Sequence, residues 1–456
     1  MADAEFRGLL IPELIGGREF ACSCGKRHAA KIRYISICPG ALKHVPEALE
    51  AAGVKKPLVV CGPRGYEAAA KRLLRILADK GIRYSLVIIP EKDGESIQPS
   101  ESAVGYLALR YDRSCDGILA VGSGVINDVT KVVGTLVGVP TVIVGTAPSM
   151  DGFASDNASM EVNGIKLSLP ENCPAAIVCD TEILAAAPMR MLFAGLGDMI
   201  AKYTALCEWK IARIANEEYY CEEVAALVER SLEKVMAGAE GLARREEGSV
   251  RNVTEGLVLS GIGMAFAGVS RPASGLEHYF SHCWEMMRLS RGQRYDLHGI
   301  QVGIGTLITI RILKKLAEQK PDMDRVIRAA DRFDQAAWET GLCRTFPDIA
   351  PELLEMEKKA GKNRREGRLE RAQRILDHWD DIKGYIAELP SYEELLELMT
   401  GLGMPVSPGE IGYSTEDTVN AFVYSRDVRD KYLTSSVIWD LGYMEEFADW
   451  LREVYR

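Results

Sequence analysis

Six histidines occur in the chain, and three of them, His278, His282 and His298, fall close together in sequence of helical character. In SGLEHYFSHCWE the first two are four residues apart, so both lie on one face of a helix. His298 follows in RYDLHGIQVGIGT. An HxxxH pair is a common metal-binding spacing and also arises by chance; a third imidazole and a carboxylate would complete a site. The best carboxylate is Asp198 in AGLGDMIAKYTA, set among small and apolar residues where a charge is costly unless paired or metal-bound. Its other role would be an N-cap after Gly197. One carboxylate with two or three imidazoles suits Zn, Ni or Fe and leaves a position open for substrate. His44, and His378 in LDHWDD, read as exposed residues without a part in this chemistry.

The second chemical signal is Gly122-Ser-Gly124-Val125-Ile126-Asn127-Asp128, at the end of an apolar strand and the start of a helix. Glycine lets the backbone approach a ligand, and a helix N-terminus offers N–H groups and partial positive charge to a diphosphate. The run lacks the third glycine of the dinucleotide fingerprint, and Asp128 could simply cap the helix. Thr146-Ala-Pro-Ser149-Met-Asp151-Gly-Phe-Ala-Ser155 follows the next strand at the same carboxyl edge. Two such loops fit a dinucleotide better than either alone, against an ordinary turn rich in Ser and Thr.

These residues need elements to carry them. KPLVVCGP, YSLVIIP, DGILAVGSG, PTVIVGTAPS and AAIVCD are apolar runs ending at Gly, Pro, Ser or Asp, with helical stretches between the first four. Such strands mark a parallel sheet covered on both faces, an α/β doubly wound, Rossmann-like domain over 1–180. From 181 the strand signal stops and helices are expected over 188–215, 217–245, 253–269, 275–289 and 297–318. An all-α second domain over 181–456 then carries a charged helical insertion at about 320–405, expected as a solvated face. Two domains suit 456 residues, since one core rarely grows past roughly 250–300. A net charge of −10 argues against a nucleic-acid partner. No export signal is expected in the N-terminal sequence, and the longest uncharged run, 132–150, is broken by Gly and Pro, so no membrane span is expected. Eleven cysteines, an odd and sparse set, read as reduced thiols of a cytoplasmic protein. Cys22-x-Cys24-Gly-Lys-x-His28 could ligate zinc, but it lacks C-x2-C spacing and a clear fourth ligand, so it reads as a β-turn.

GSGVIND (122–128), TAPSMDGFAS (146–155), AGLGDMIAKYTA (194–205), SGLEHYFSH (274–282) and HGIQVGIGT (298–306) together resemble the sn-glycerol-1-phosphate dehydrogenase family. That family lies in the iron-containing alcohol dehydrogenase and dehydroquinate synthase superfamily. The C-terminal stretch 411–442 is similar to the bacterial branch, which also carries a charged helical insertion. The resemblance implies NAD(P)-dependent, metal-dependent interconversion of dihydroxyacetone phosphate and sn-glycerol 1-phosphate. It makes Asp198, His278 and His298 ligands of one Zn or Ni ion, with Fe in some relatives. Gly124, Val125, Ile126, Asn127, Asp128, Thr146, Ser149 and Ser155 would contact the dinucleotide. Asp151, Asp198 and His282 would contact the phosphorylated triose, with His282 and Asp198 catalytic, in a cytoplasmic homodimer.

One departure stands out. After the strand at 57–61, bacterial members usually place an acid that can bind the adenine ribose, whereas this chain has Cys61-Gly62-Pro63-Arg64. An arginine can neutralise a ribose 2′-phosphate, so tolerance of, or preference for, NADPH is expected. For the substrate phosphate, Lys202, Arg291 and Arg294 are within reach by sequence position. A polyol dehydrogenase such as glycerol dehydrogenase, a dehydroquinate synthase-like lyase and a non-enzymatic NAD-binding regulator are the rival readings.

Overall fold

The computed structural model describes residues 6–91, 97–162, 165–171 and 173–456; the first five residues, part of the stretch read as lacking an export signal, lie outside the described residues. Ten strands appear in chain order: β1 (Glu19–Ala21), β2 (Arg27–Ala29), β3 (Tyr34–Cys38), β4 (Pro57–Cys61), β5 (Ser85–Ile88), β6 (Gly117–Gly122), β7 (Thr141–Gly145), β8 (Asn157–Val162), β9 (Ile165–Pro170) and β10 (Ala176–Asp180). Six form one sheet in the order β3-β10-β7-β6-β4-β5, and every pairing in it is parallel. Residues of β4, β6, β7 and β10 are buried throughout, which is why they read as unbroken apolar runs. Each fully buried Val, Leu or Ile there contributes about 1.5–3 kcal/mol.

Chain direction across the sheet reverses between β4 and β6. From β4 the chain steps outward to β5, then returns to β6 and runs through β7 to β10. The crevice outside the carboxyl ends of two such strands is where doubly wound sheets bind ligands. The Gly122–Gly124 turn and the Cys61–Arg64 turn both leave the sheet there.

Two antiparallel hairpins, β1–β2 and β8–β9, join this parallel core and were not expected from the sequence. In β8 buried and half-buried residues largely alternate, the mark of a strand with one covered face.

The last strand ends at Asp180, yet the packing does not divide there. One compact unit comprises 1–199 and 221–272, and a second comprises 200–220 and 273–456. The helices Glu222–Ala237 and Glu247–Ala267 therefore pack with the sheet-bearing unit rather than with the later helices. The stretch expected as one helix over 188–215 is two, Met189–Ile200 and Lys202–Asn216. No helix among the described residues is long and apolar enough to cross a membrane.

In the second unit the charged stretch folds into six helices, from Met323–Asp331 to Tyr392–Leu402. It is more than a solvated face. Val326, Leu342, Leu353, Ile375, Ile382 and Met399 are buried from it, and so is Arg368, which donates to the carbonyls of Trp439 and Asp440. Arg371 meets the fully buried Asp440 through two parallel bonds of 2.8 Å, and Tyr432 donates to the same carboxylate at 2.6 Å. Breaking such a pair strands a buried charge. Asp440→Ala should lower stability by about 3–5 kcal/mol in the transition that unfolds the second unit. A loss below about 1 kcal/mol in chemical denaturation would show that water reaches Arg371 freely.

Candidate active site

In the first unit, β6 delivers the chain to Gly122, Ser123 holds an extended backbone (φ −105°, ψ −154°), and the helix Gly124–Val137 begins at once. Close packing requires glycine at the first end of this turn and leaves little space at the second. A Cβ on Gly122 would sit 2.6 Å from Ile126, and one on Gly124 would sit 3.0 Å from the Met150 sulfur. The Thr146 N–H donates to the Gly122 carbonyl at 3.0 Å, locking the two loops together. Ser123 is the N-cap position, so Asp128 is not the cap. Asn127 N–H is the first taken by the helix, through Ser123 O at 3.1 Å. The N–H groups of Gly124, Val125 and Ile126 precede it and are the ones a diphosphate could accept.

The side chains farther along serve the loops. Asn127 Nδ2 donates to Gly152 O and to Asp128, both at 3.3 Å. Lys131, almost fully buried, donates to Gly152 O at 2.6 Å, Ser155 O at 2.8 Å and Asn157 O at 3.1 Å. The Ser155 hydroxyl donates to Gly152 O at 3.1 Å, and Ser149 is buried nearby in sequence. Lys131 was not singled out from the sequence, although a lysine in NDVTKVVGTLV could only be buried with partners of this kind. Burial pushes the Asp128 carboxyl up to about 6, against the pull of Lys131 and the Ser159 N–H.

Asp198 is the tenth residue of the helix Met189–Ile200, which rules out the N-cap role. It is fully buried and accepts the Asp151 N–H at 2.8 Å, while Asp151 accepts from Ser260 at 2.8 Å. Gly195 lets this helix press against the Pro148 carbonyl, where a Cβ could not fit. Arg64 pairs with Glu91 at 3.0 Å, so the arginine expected to meet a 2′-phosphate has an acid of the next strand end beside it.

In the second unit, the helices Leu276–Ser290 and His298–Ala317 carry the imidazoles. They approach closely because Gly305 faces the Glu277 carbonyl with no space for a side chain. Buried Glu208 ties down the start of the first helix, accepting the Leu276 N–H at 2.8 Å and the Thr434 N–H at 2.9 Å. The His278 and His298 rings lie 5.2 Å apart, and His282 stacks on His298 at 5.7 Å. His278 Nδ1 contacts Glu277 at 2.9 Å, which in turn accepts from Gly275 N–H at 2.5 Å and Thr204 at 2.7 Å. Burial opposes the Glu277 charge, but His278 and these donors hold its carboxyl below the usual range. An ionised carboxylate on Nδ1 fixes the tautomer that turns a basic Nε2 toward a metal.

Glu285 is the carboxylate that the sequence reading left out. It is fully buried, 3.5 Å from His298 Nδ1 and 3.9 Å from His282 Nδ1, and one donor atom each of His282, Glu285 and His298 lie within 4.8 Å of one another. Its position seven residues after His278 and three after His282 puts it on the same helix face, a signal the sequence did contain. Burial and the Arg429 charge push the His282 imidazole well below its ordinary range, so it is neutral and open to a ligand. His278, His282 and His298 are thus gathered in one place and their surroundings fit a divalent cation.

Of the cations expected for a phosphate, Lys202 is fully buried and donates to Ala273 O at 3.1 Å. Arg291 instead pairs with Asp417 at 2.5 Å, and Arg294 is exposed. Arg429 acts on His282 and was missed, since it lies far away in sequence. His44 is half-buried on Ser36 at 2.9 Å rather than exposed, while His378 is exposed as expected.

Asp128 sets a pH dependence. Its folded pKa of about 6 lies above the ordinary 3.8, so folding favours the neutral carboxyl. Stability should fall as pH rises from about 4 to about 6 and level off above. Asp128→Asn should flatten that part of the Tm–pH curve; an unchanged slope would assign it to other groups.

The iron-containing alcohol dehydrogenase family matches residues 36–188. A glycerol-1-phosphate dehydrogenase (NAD(P)+) of Halalkalibacterium halodurans is 33% identical over 300 residues, covering 66% of this chain and 75% of the relative. The enzyme of the same name from Pyrococcus furiosus is 39% identical over 251 residues, 55% of this chain and 69% of its own. Among solved structures, an alcohol dehydrogenase from Oenococcus oeni superposes with a TM-score of 0.60 at 15% identity, covering 93% of this chain and 98% of that one, and shows the shared fold. From the sequence match to those relatives, the chain belongs to the glycerol-1-phosphate dehydrogenase family of the iron-containing alcohol dehydrogenases.

Proposed function

We propose that the protein interconverts dihydroxyacetone phosphate and sn-glycerol 1-phosphate, with NAD(P)H as hydride donor. The observation that carries the reading is the cluster of buried His278 and His282 with the partly exposed His298, in which Glu277 holds one imidazole in a ligand-ready tautomer. A divalent cation bound there supplies Lewis-acid polarisation of the substrate carbonyl. Asp198, His278 and His298 are the ligand set that the sequence motifs support. Glu277 and Ser281 orient two of the rings, through contacts of 2.9 Å and 3.0 Å. His282 hydrogen-bonds the oxygen of the carbonyl whose carbon takes up the hydride, and Asp151 holds a substrate hydroxyl. The dinucleotide diphosphate lies on the N–H groups of Gly124, Val125 and Ile126, with the Thr146–Ser149 loop, Asn127, Asp128 and Ser155 lining its other side. Arg429 and Lys202 meet the substrate phosphate, and the chain works as a homodimer in the cytoplasm.

Metal content separates the two possible ligand sets. Asp198→Ala, His278→Ala and His298→Ala should each lose both bound metal and turnover. His282→Ala should keep the metal and lower kcat, and Glu285→Gln should keep the metal. Metal lost from the His282 and Glu285 variants but kept in Asp198→Ala would move the ion to His282, Glu285 and His298.

Substrate class is tested by the rate of NAD(P)H oxidation. Dihydroxyacetone phosphate should be favoured over dihydroxyacetone in kcat/KM, and Arg429→Ala should lower the phosphorylated rate at least ~30-fold, about 2 kcal/mol, with little effect on the unphosphorylated one. Equal use of both substrates would make the protein a polyol dehydrogenase. The same assay gives the cofactor preference, and an NADH preference of about tenfold or more would show that Arg64, held by Glu91, does not meet a 2′-phosphate.

A further inference from the structure

We propose that Cys22, Cys24, His28 and Cys221, all in the first unit, bind a structural Zn2+ ion, separate from the cation of the dehydrogenase site. One donor atom from each lies within 4.8 Å of the others. Cys22 and Cys24 sit in the turn between β1 and β2. That turn closes through the Gly25 N–H on Cys22 O at 3.0 Å, with Gly25 in the left-handed region at φ +83°. His28 stands on β2, facing inward, and Cys221 is the N-cap residue of the helix Glu222–Ala237.

The distances have the scale of a tetrahedral thiolate site. Zn–S bonds of about 2.3 Å and a Zn–N bond of about 2.0–2.1 Å separate sulfur from sulfur by about 3.8 Å and sulfur from nitrogen by about 3.6 Å. The Cys22 and Cys221 sulfurs are 3.6 Å apart, and His28 Nε2 is 3.3 Å from Cys24 Sγ and 3.6 Å from Cys221 Sγ. The other ring nitrogen, Nδ1, is 2.7 Å from the Phe266 carbonyl, so it carries the proton and leaves Nε2 its lone pair. The imidazole side is dry, with His28 fully buried between Phe6 and Phe266 at ring-centroid distances of 5.2 Å and 5.8 Å, while Cys22 and Cys24 are half-buried. Three soft sulfurs and one imidazole in a closed shell select Zn2+, and its binding releases the three thiol protons.

The consequence is a clamp on a chain that leaves the first unit and comes back. Cys221 is the residue at which the chain returns to it. The ion would tie that return to the N-terminal hairpin, while His28 and Lys26 hold the Phe266 and Ala267 carbonyls at the end of the helix Glu247–Ala267. Ser260 on that helix holds Asp151.

X-ray absorption at the zinc edge, on full-length protein purified under reducing conditions, tests the proposal directly. It should report zinc with three sulfur neighbours and one nitrogen. A thiol-directed mercurial should release one zinc per chain. Cys24→Ser should lose that equivalent and lower Tm by more than about 5 °C, and His278→Ala should retain it, which keeps this site distinguishable from the dehydrogenase metal. Zinc without a sulfur shell, or a native chain two hydrogens lighter because Cys22 and Cys221 have formed a disulfide, would overturn it.

Discussion

Burial of ionisable groups is the constraint on which the second unit is built. His278, His282 and the carboxylates Glu208, Glu277 and Glu285 lie in protein interior with the partly exposed His298 beside them, and an unpaired charge there costs several kcal/mol against folding. Two of the carboxylates are answered by geometry. Glu277 is held ionised and oriented by His278, Thr204 and the Gly275 N–H, and Glu208 accepts the N–H groups of Leu276 and Thr434. Gly305 permits the close helix contact that brings His298 beside the other two rings. A divalent cation is the natural complement to the nitrogens that this arrangement leaves basic.

The first unit follows from a different constraint. A parallel sheet buried on both faces has only its strand ends to offer a ligand, and the strand order opens a crevice between β4 and β6. The glycine turn after β6 fills that place. Lys131 then organises the neighbouring loop by donating to three of its carbonyls, so a buried ammonium acts as a structural pin. The helix Met189–Ile200 carries Asp198 against the Asp151 N–H, linking the second loop to a buried carboxylate.

The sheet was legible because its central strands are apolar except at Thr141 and Asp180, at the two strand ends, a pattern that needs no tertiary information. Asp198 was legible as a carboxylate in apolar sequence, and the histidines as three of only six in the chain, two of them four residues apart. The partners were harder. Glu285 lies within reach in the sequence, three residues after His282 on the same face. Arg429 and Cys221 could not be found locally, because each meets its histidine only through the fold, Cys221 from 193 residues away. The β1–β2 hairpin escaped because its strands are three residues each, too short for periodicity to speak. The packing boundary was hidden for the same reason as Cys221: the returning segment looks helical in sequence, and only its contacts assign it to the sheet.

The proposal assigns the nucleotide to the glycine loop and the divalent metal to the histidine cluster, which separate parts of the chain build. The most direct test removes the divalent metal with a chelator and follows two signals together, NAD(P)H binding by fluorescence and turnover of dihydroxyacetone phosphate. Binding should persist while turnover is lost, and turnover should return when Zn2+ or Ni2+ is restored. Turnover that survives removal of the metal bound through the histidines would contradict the account.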